Sequence, residues 1–190
     1  MTQFVLASAS PRRKMLLEQV GVREFLVRPA PREIEAGDLP AGEAVQAIAL
    51  AKGQAVAETV SPGTLVLAAD TEVCLDGELL GKPRDAADAV RMLRRLSGAR
   101  HTVYTGVALL LDSKVLRGVE ATDVYFRTLT DAEIEAYVET GEPMDKAGGY
   151  GLQGRAAPFI RRIEGDVYNV IGLPLCLVAE LSQEMGVLLF

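Results

Sequence analysis

The sequence predicts an α/β fold of the mixed α+β kind, a twisted mixed sheet flanked by helices. Three observations predict it. Short apolar runs bounded by turn residues occur alongside stretches whose apolar residues recur every three or four positions. The two kinds do not alternate strictly, as the β–α–β units of an all-parallel sheet would. The chain has 190 residues, 49% of them hydrophobic, and no low-complexity tract, enough for one sizeable core or one domain with two lobes.

Residues 3–7 read as a buried strand. Pro11 suits the first position of a helix, because that position has no N–H partner to lose. Leu16, Leu17 and Val20 give the helix an apolar face, and Gly21 ends it. Residues 25–28 predict a short strand, followed by a polar loop through Leu39; Pro40 then opens a long Ala-rich helix to about Thr59. Residues 64–75 are strand-like, and Asp76-Gly77 is a hairpin signal. After Gly81-Lys82-Pro83 comes a helix over 85–96, with Ala86, Ala89, Val90, Leu93 and Leu96 at helical spacing and Gly98 beyond its end. Residues 101–111 and 115–126 predict an antiparallel pair turning at Asp112-Ser113. Thr130 and Glu133 form a capping box for a helix ending before Gly141. A glycine-rich loop over 141–158 leads to a strand at 159–164, a helix at 174–185 and a last strand at 187–190. There is no internal repeat and no linker that marks a domain boundary.

Charge and composition remove several classes of function. The net charge is −6 and the pI about 4.9, which argues against general attraction to nucleic acid or to an anionic membrane. Any bound anion must therefore meet a local cluster of cations. Apolar runs such as 170–179 are short and broken by Gly172 and Pro174, so no membrane span is expected. The N-terminus lacks a cationic region followed by an apolar stretch, and a cytoplasmic protein is expected. Cys74 and Cys176 read as two buried thiols of a reducing compartment, with a disulfide as the alternative. A single histidine, His101, argues against His-based zinc sites and Ser-His-Asp triads.

Residues 6–21, LASASPRRKMLLEQVG, raise an electrostatic question. A helix N-terminus is partially positive, so each of Arg12, Arg13 and Lys14 in the first turn costs about 0.3–1 kcal/mol. Two readings fit. Free amides, serine hydroxyls and arginine forks at a helix start bind phosphate, or the long stems simply reach solvent, where screening removes the penalty. Other candidates divide in the same way. Asp70, at the end of the apolar run 64–69, is placed as a metal ligand or general base, or as a turn former. Lys52 lies in the small-residue stretch 49–53 and Lys82 between Gly81 and Pro83; either can be a phosphate ligand or a solvated lysine.

Residues 149–154, GYGLQG, match the spacing of a dinucleotide fingerprint, but loop precedes them and Pro158 follows too soon for a helix. They read instead as a loop able to approach a ligand closely, carrying Lys146, Tyr150 and Gln153, or as a mobile surface loop. The Gln153 amide offers a donor and an acceptor, as a pyrimidine edge requires.

In order along the chain, these segments resemble the Maf family of nucleoside triphosphate pyrophosphatases. The resemblance rests on Ser8-Ala-Ser-Pro-Arg-Arg13, Glu33, Lys52, Ala69-Asp-Thr71, Gly81-Lys-Pro83, the block 145–154, Ile163-Glu-Gly165 and Asn169-Val-Ile-Gly-Leu-Pro174. Tyr150-Gly-Leu-Gln-Gly154 resembles the branch acting on dTTP and UTP. In two places the sequence departs from the family: residues 29–32 are less acidic than usual, and Ile48 and Gly53 stand where Leu and Ala are commoner. The resemblance implies a single Maf-like domain over 1–190, a Maf/ITPase-like sheet with a cleft between two lobes, and hydrolysis of dTTP or UTP to the monophosphate and pyrophosphate. It assigns Asp70 as proton acceptor and Arg12, Thr71 and Gln153 to substrate choice. Ser8, Arg12, Arg13, Lys52 and Lys82 would bind the phosphates, and Asp70 with Glu33 would hold a divalent cation, Mg²⁺ or Mn²⁺. A homodimer is implied as well. The same chemistry on 7-methyl-GTP or another modified nucleotide, and nucleotide binding without turnover in a regulator of septum formation, stand as alternatives.

Overall fold

The computed structural model describes residues 3–31 and 37–190. The strands are β1 (Phe4–Leu6), β2 (Leu26–Val27), β3 (Leu65–Leu75), β4 (Glu78–Leu79), β5 (Arg100–Leu111), β6 (Lys114–Phe126) and β7 (Ile160–Glu164). The helices are α1 (Pro11–Gln19), α2 (Ala41–Ala57), α3 (Ala86–Leu96), α4 (Asp131–Glu139), α5 (Val167–Ile171) and α6 (Leu175–Met185). Seven strands among the described residues form one mixed sheet in the order β2-β1-β3-β5-β6-β7, with β4 paired to β3. The chain divides into two compact units, Met1–Asp70 with Thr105–Glu120 and Gly172–Phe190, and Thr71–Tyr104 with Ala121–Ile171. Each of β3, β5 and β6 contributes residues to both.

In the first unit, β1 lies parallel to both β2 and β3, with Leu6 opposite Leu67 as its last partner on β3. Val5, Ala7, Val66 and Ala68 of these strands pack with Ala49 and Val56 of α2 and with Ala108 and Leu110 of β5. The helix approaches the sheet closely because two glycines leave room for it. A Cβ at Gly106 of β5 would stand 2.6 Å from the Gln46 amide nitrogen, nearer still to the Val45 carbonyl. A Cβ at Gly53 would stand 3.3 Å from that of Ala68 and inside contact distance of Leu110 Cδ1.

The second unit is built on a separate core of Val73, Leu93, Val103, Val124, Phe126, Ile134, Tyr137, Tyr150 and Phe159. Both halves of the expected capping box form at α4: Thr130 Oγ1 accepts from the Glu133 amide, and Glu133 Oε2 accepts from the Thr130 amide. Asp76 and Gly77 turn between β3 and β4 with φ of 52° and 83°, the two left-handed residues of a tight hairpin. His101 is buried, with Nε2 2.7 Å from the Tyr150 hydroxyl and edge-on contacts to Phe126 and Tyr150.

The structure corrects three sequence expectations. Residues 187–190 form no strand: the Val187 amide closes the end of α6 on the Ser182 carbonyl, with Gly186 at φ 83°, so it is not available to a ladder. Cys176 is exposed rather than buried, because α6 buries Leu175, Val178, Leu181, Ser182 and Met185 and turns Cys176 outward; both cysteines are free thiols. Helix α5 was not foreseen. It is a five-residue helix, too short to show periodicity, begun by the Asp166 carboxylate accepting from the Tyr168 amide. The buried Asn169 fixes it by donating to the Val103 carbonyl and to Thr122 Oγ1.

Two predictions follow from the packing. Gly106→Ala places a methyl group against α2 backbone, which cannot move aside as a side-chain end would. The expected loss of stability is about 1–3 kcal/mol by urea denaturation. Burial lowers the His101 pKa to about 4 from 6.5, opposed by the charge of Asp123. Between those values the unfolded chain holds a proton that the folded chain does not, so this group's stabilisation is complete above pH 6.5 and is lost as pH falls toward 4. Urea midpoints at pH 7, 6, 5 and 4 are expected to fall less steeply for His101→Gln than for the unsubstituted protein.

Candidate active site

Ser8 and Asp70 lie just past the last residue pair of the parallel strands, Ser8 two residues beyond Leu6 and Asp70 three beyond Leu67. The carboxyl ends of parallel strands are where α/β sheets place their ligands. The chain leaves β1, passes Ser8 and enters α1 at Pro11 with Ser10 as N-cap. Ser10 makes no side-chain cap; its amide donates to Ser8 Oγ at 3.2 Å.

The three first-turn cations have three different surroundings. Lys14 is exposed and pairs with Glu18 one turn on, at 3.6 Å. Arg12 is half-buried. Arg13 is turned into the protein with 8% of its surface exposed, and its fork is held at two points. Nη1 donates to Ser8 Oγ at 2.8 Å, and Nε donates to the Gly172 carbonyl at 2.7 Å. With two N–H groups on its lone pairs, the Ser8 hydroxyl keeps its single O–H donor. Burial pulls the Arg13 pKa down to about 10; the Asp70 carboxylate opposes that shift and Arg12 adds to it. The guanidinium stays charged at neutral pH, at a desolvation cost that an anion beside it offsets.

That carboxylate is already shared. Lys52 Nζ lies 2.6 Å from Asp70 Oδ1, the two side chains being 23% and 13% exposed. Helix α2 brings Lys52 within reach because Gly53 lets it settle against Ala68, two residues before Asp70. Arg13 and Lys52 thus both set positive charge against Asp70, and Arg12 stands near enough to Arg13 to lower its pKa, in a chain whose net charge is −6.

The second unit holds the remaining candidates. Thr71 follows Asp70 on β3 and is half-buried. Lys82 is exposed on the turn between Gly81 and the buried Pro83. The glycine-rich segment docks on that turn: the Gly148 amide donates to the Gly81 carbonyl at 2.7 Å, and a Cβ at Gly149 would stand 3.2 Å from Pro83 Cγ. Gly148 and Gly149 have φ of 66° and 72°, which L side chains adopt only with strain. Tyr150 then enters the core against His101, and Gln153 is exposed on the turn beyond it. A three-residue 3₁₀ turn, Ala157–Phe159, and then β7 follow in place of the α-helix that a dinucleotide fingerprint needs.

The donor set suits a divalent cation only in part. Mg²⁺ commonly takes one or two carboxylates and completes its shell with water and substrate phosphates, a pattern that Asp70 fits as one ligand. Glu33 lies outside the described residues. Among the described residues no three His, Cys, Asp or Glu side chains group to hold an ion. Sequence reading missed two contributors. The Gly172 carbonyl stands 159 residues from Arg13, and no spacing signal reports it. Glu142 accepts hydrogen bonds around the Gln153 turn; the only hint was its place in Gly141-Glu-Pro143 at the head of the glycine-rich loop.

The chain is similar to proteins named dTTP/UTP pyrophosphatase. One from Bacillus cytotoxicus is 51% identical over 185 residues, covering 96% of each chain. One from Symbiobacterium thermophilum is 50% identical over 191 residues, covering 100% of this chain and 97% of that one. The solved structure of the Staphylococcus aureus Ham1 protein superposes with a TM-score of 0.52 over 96% of this chain and 99% of that one, at 15% identity, and so shares the fold. The family model described as Maf-like protein matches residues 3–185, and the chain belongs to the Maf family.

Proposed function

We propose that the chain, as a single Maf-like domain, is a nucleoside triphosphate pyrophosphatase that hydrolyses dTTP and UTP to the monophosphate and pyrophosphate. The observation that carries the reading is the Asp70 carboxylate, held by Lys52 at 2.6 Å beside the buried guanidinium of Arg13. The carboxylate takes the proton of the attacking water as the new P–O bond forms at the α-phosphorus and the α–β bridging bond breaks. Arg12, Arg13, Lys52 and Lys82 neutralise the phosphate charge that shifts toward the leaving pyrophosphate, and the Ser8 hydroxyl donates to a phosphate oxygen. Gln153 and Thr71 select the base, with Arg12 bearing on the choice. Mg²⁺ or Mn²⁺, on Asp70 and Glu33, would supply charge neutralisation and hold the triphosphate in line. The names carried by the relatives at 50% and 51% identity support the substrate.

Three measurements test this reading. Purified protein with Mg²⁺ and a nucleotide panel is expected to release pyrophosphate from UTP and dTTP; release only from 7-methyl-GTP or purine nucleotides, or from none, overturns it. In Asp70→Asn, kcat is expected to fall by about 10²–10⁴, the usual contribution of a general base, with nucleotide binding retained by titration calorimetry. The third concerns the fork. Arg13→Lys keeps a charge but cannot reach both Ser8 and Gly172, and KM for UTP is expected to rise by about tenfold or more in steady-state assays.

A further inference from the structure

We propose that Glu142 is a positioning residue for base selection, its carboxylate clamping the turn that carries Gln153. The proposal rests on the reading of Gln153 as the base-selecting side chain. Residues 152–156 form a turn exposed at 153–155, with the Gly154 amide on the Gly151 carbonyl at 3.1 Å and Ala156 buried in the core. The Glu142 side chain adds a hold between those two points. The Arg155 amide donates to Oε1 and Oε2, both at 3.1 Å, and the Tyr137 hydroxyl donates to Oε1 at 3.0 Å. The carboxylate therefore grips the chain two residues after Gln153, and the phenol holds the carboxylate.

The glycines show how tightly the clamp closes. A Cβ at Gly154 would stand 2.5 Å from the Glu142 carboxyl carbon and 2.8 Å from Oε2. A Cβ at Gly151 would stand 2.7 Å from Lys146 Cε. Neither φ is left-handed, and both neighbours are ends of flexible side chains, so a Cβ at either position would push the Glu142 carboxylate or the Lys146 stem aside rather than strain the backbone. Glu142 is itself anchored: its amide donates to Thr140 Oγ1 at 3.2 Å, and its carbonyl accepts from Lys146 Nζ at 2.6 Å. Tyr137 is a buried member of the second unit's core, which ties the clamp to a rigid base.

The test is a double-mutant cycle read as selectivity, the ratio of kcat/KM for UTP to that for GTP. Glu142→Ala is expected to lower the ratio about tenfold through a raised KM for UTP, the effect of one misplaced hydrogen bond, with kcat for UTP within about twofold. Tyr137→Phe, which removes one bond and keeps the ring, is expected to shift the ratio in the same direction by less. Gln153→Ala is expected to lower the ratio by itself, and adding Glu142→Ala to it is expected to change the ratio no further. Additive losses, or a Glu142→Ala that lowers kcat for every nucleotide alike, overturn the proposal. If Gln153→Ala leaves the ratio unchanged, the base-selecting role of Gln153 fails; if Gln153→Ala lowers it and neither Glu142→Ala nor Tyr137→Phe does, the clamp alone fails.

Discussion

Burying a guanidinium is the constraint from which the rest of the first unit follows. Arg13 has lost most of its water and keeps its charge, and protein atoms must compensate. The fork takes the Ser8 hydroxyl and the Gly172 carbonyl, which joins the segment after β1 to the one before α6. Its charge is set against Asp70, which Lys52 also occupies, while Arg12 repels it. A protein selected for stability alone would place an apolar side chain at position 13, since replacing a buried charge with a well-packed hydrophobe is often neutral or stabilising. On the proposed function, retaining the guanidinium has a logic of its own, because a polyphosphate brings negative charge beside Arg13 and stabilises the state that binds it.

Elements whose signal is local were readable in the sequence. The apolar runs of β1 and β3, the cap of α4, the Asp76-Gly77 turn and the spacing of α3 each depend on residues a few positions apart, and each forms with ends within a few residues of expectation. Of the two readings of the α1 cations, the one that sends the stems to solvent holds for Lys14 and fails for Arg13. Lys14 reaches solvent and pairs with Glu18, whereas Arg13 turns inward, and its partners come from the fold rather than from its neighbours. Helix α5 and the end of α6 failed to show for a related reason. Asn169 draws its bonds from β5 and β6, and the Val187 amide is consumed by a cap. Long-range partners of this kind are fixed by packing, and no window of sequence contains them.

The candidates also divide by how rigidly each is held. Asp70 lies on β3 after five fully buried residues, Leu65 to Ala69, and its partner Lys52 comes from a helix pressed against the sheet at two glycines. A proton acceptor needs that rigidity, because a displacement of about 1 Å at a reacting group can cost a hundredfold in rate. Gln153 has less support: the Gly154 amide closes its turn on the Gly151 carbonyl at 3.1 Å, but no strand or helix carries it. It stands on an exposed turn steadied by the carboxylate of Glu142 and the phenol of Tyr137, with Tyr150 rooted in the core ahead of it. A turn held by side chains can be re-aimed by substituting the side chains, without disturbing the sheet that carries the chemistry. On the roles proposed for Gln153 and Glu142, base preference can therefore change through residues 142 and 153 at small cost in stability. Changes around Asp70 and Arg13 must instead repack a strand, a helix and a buried charge together.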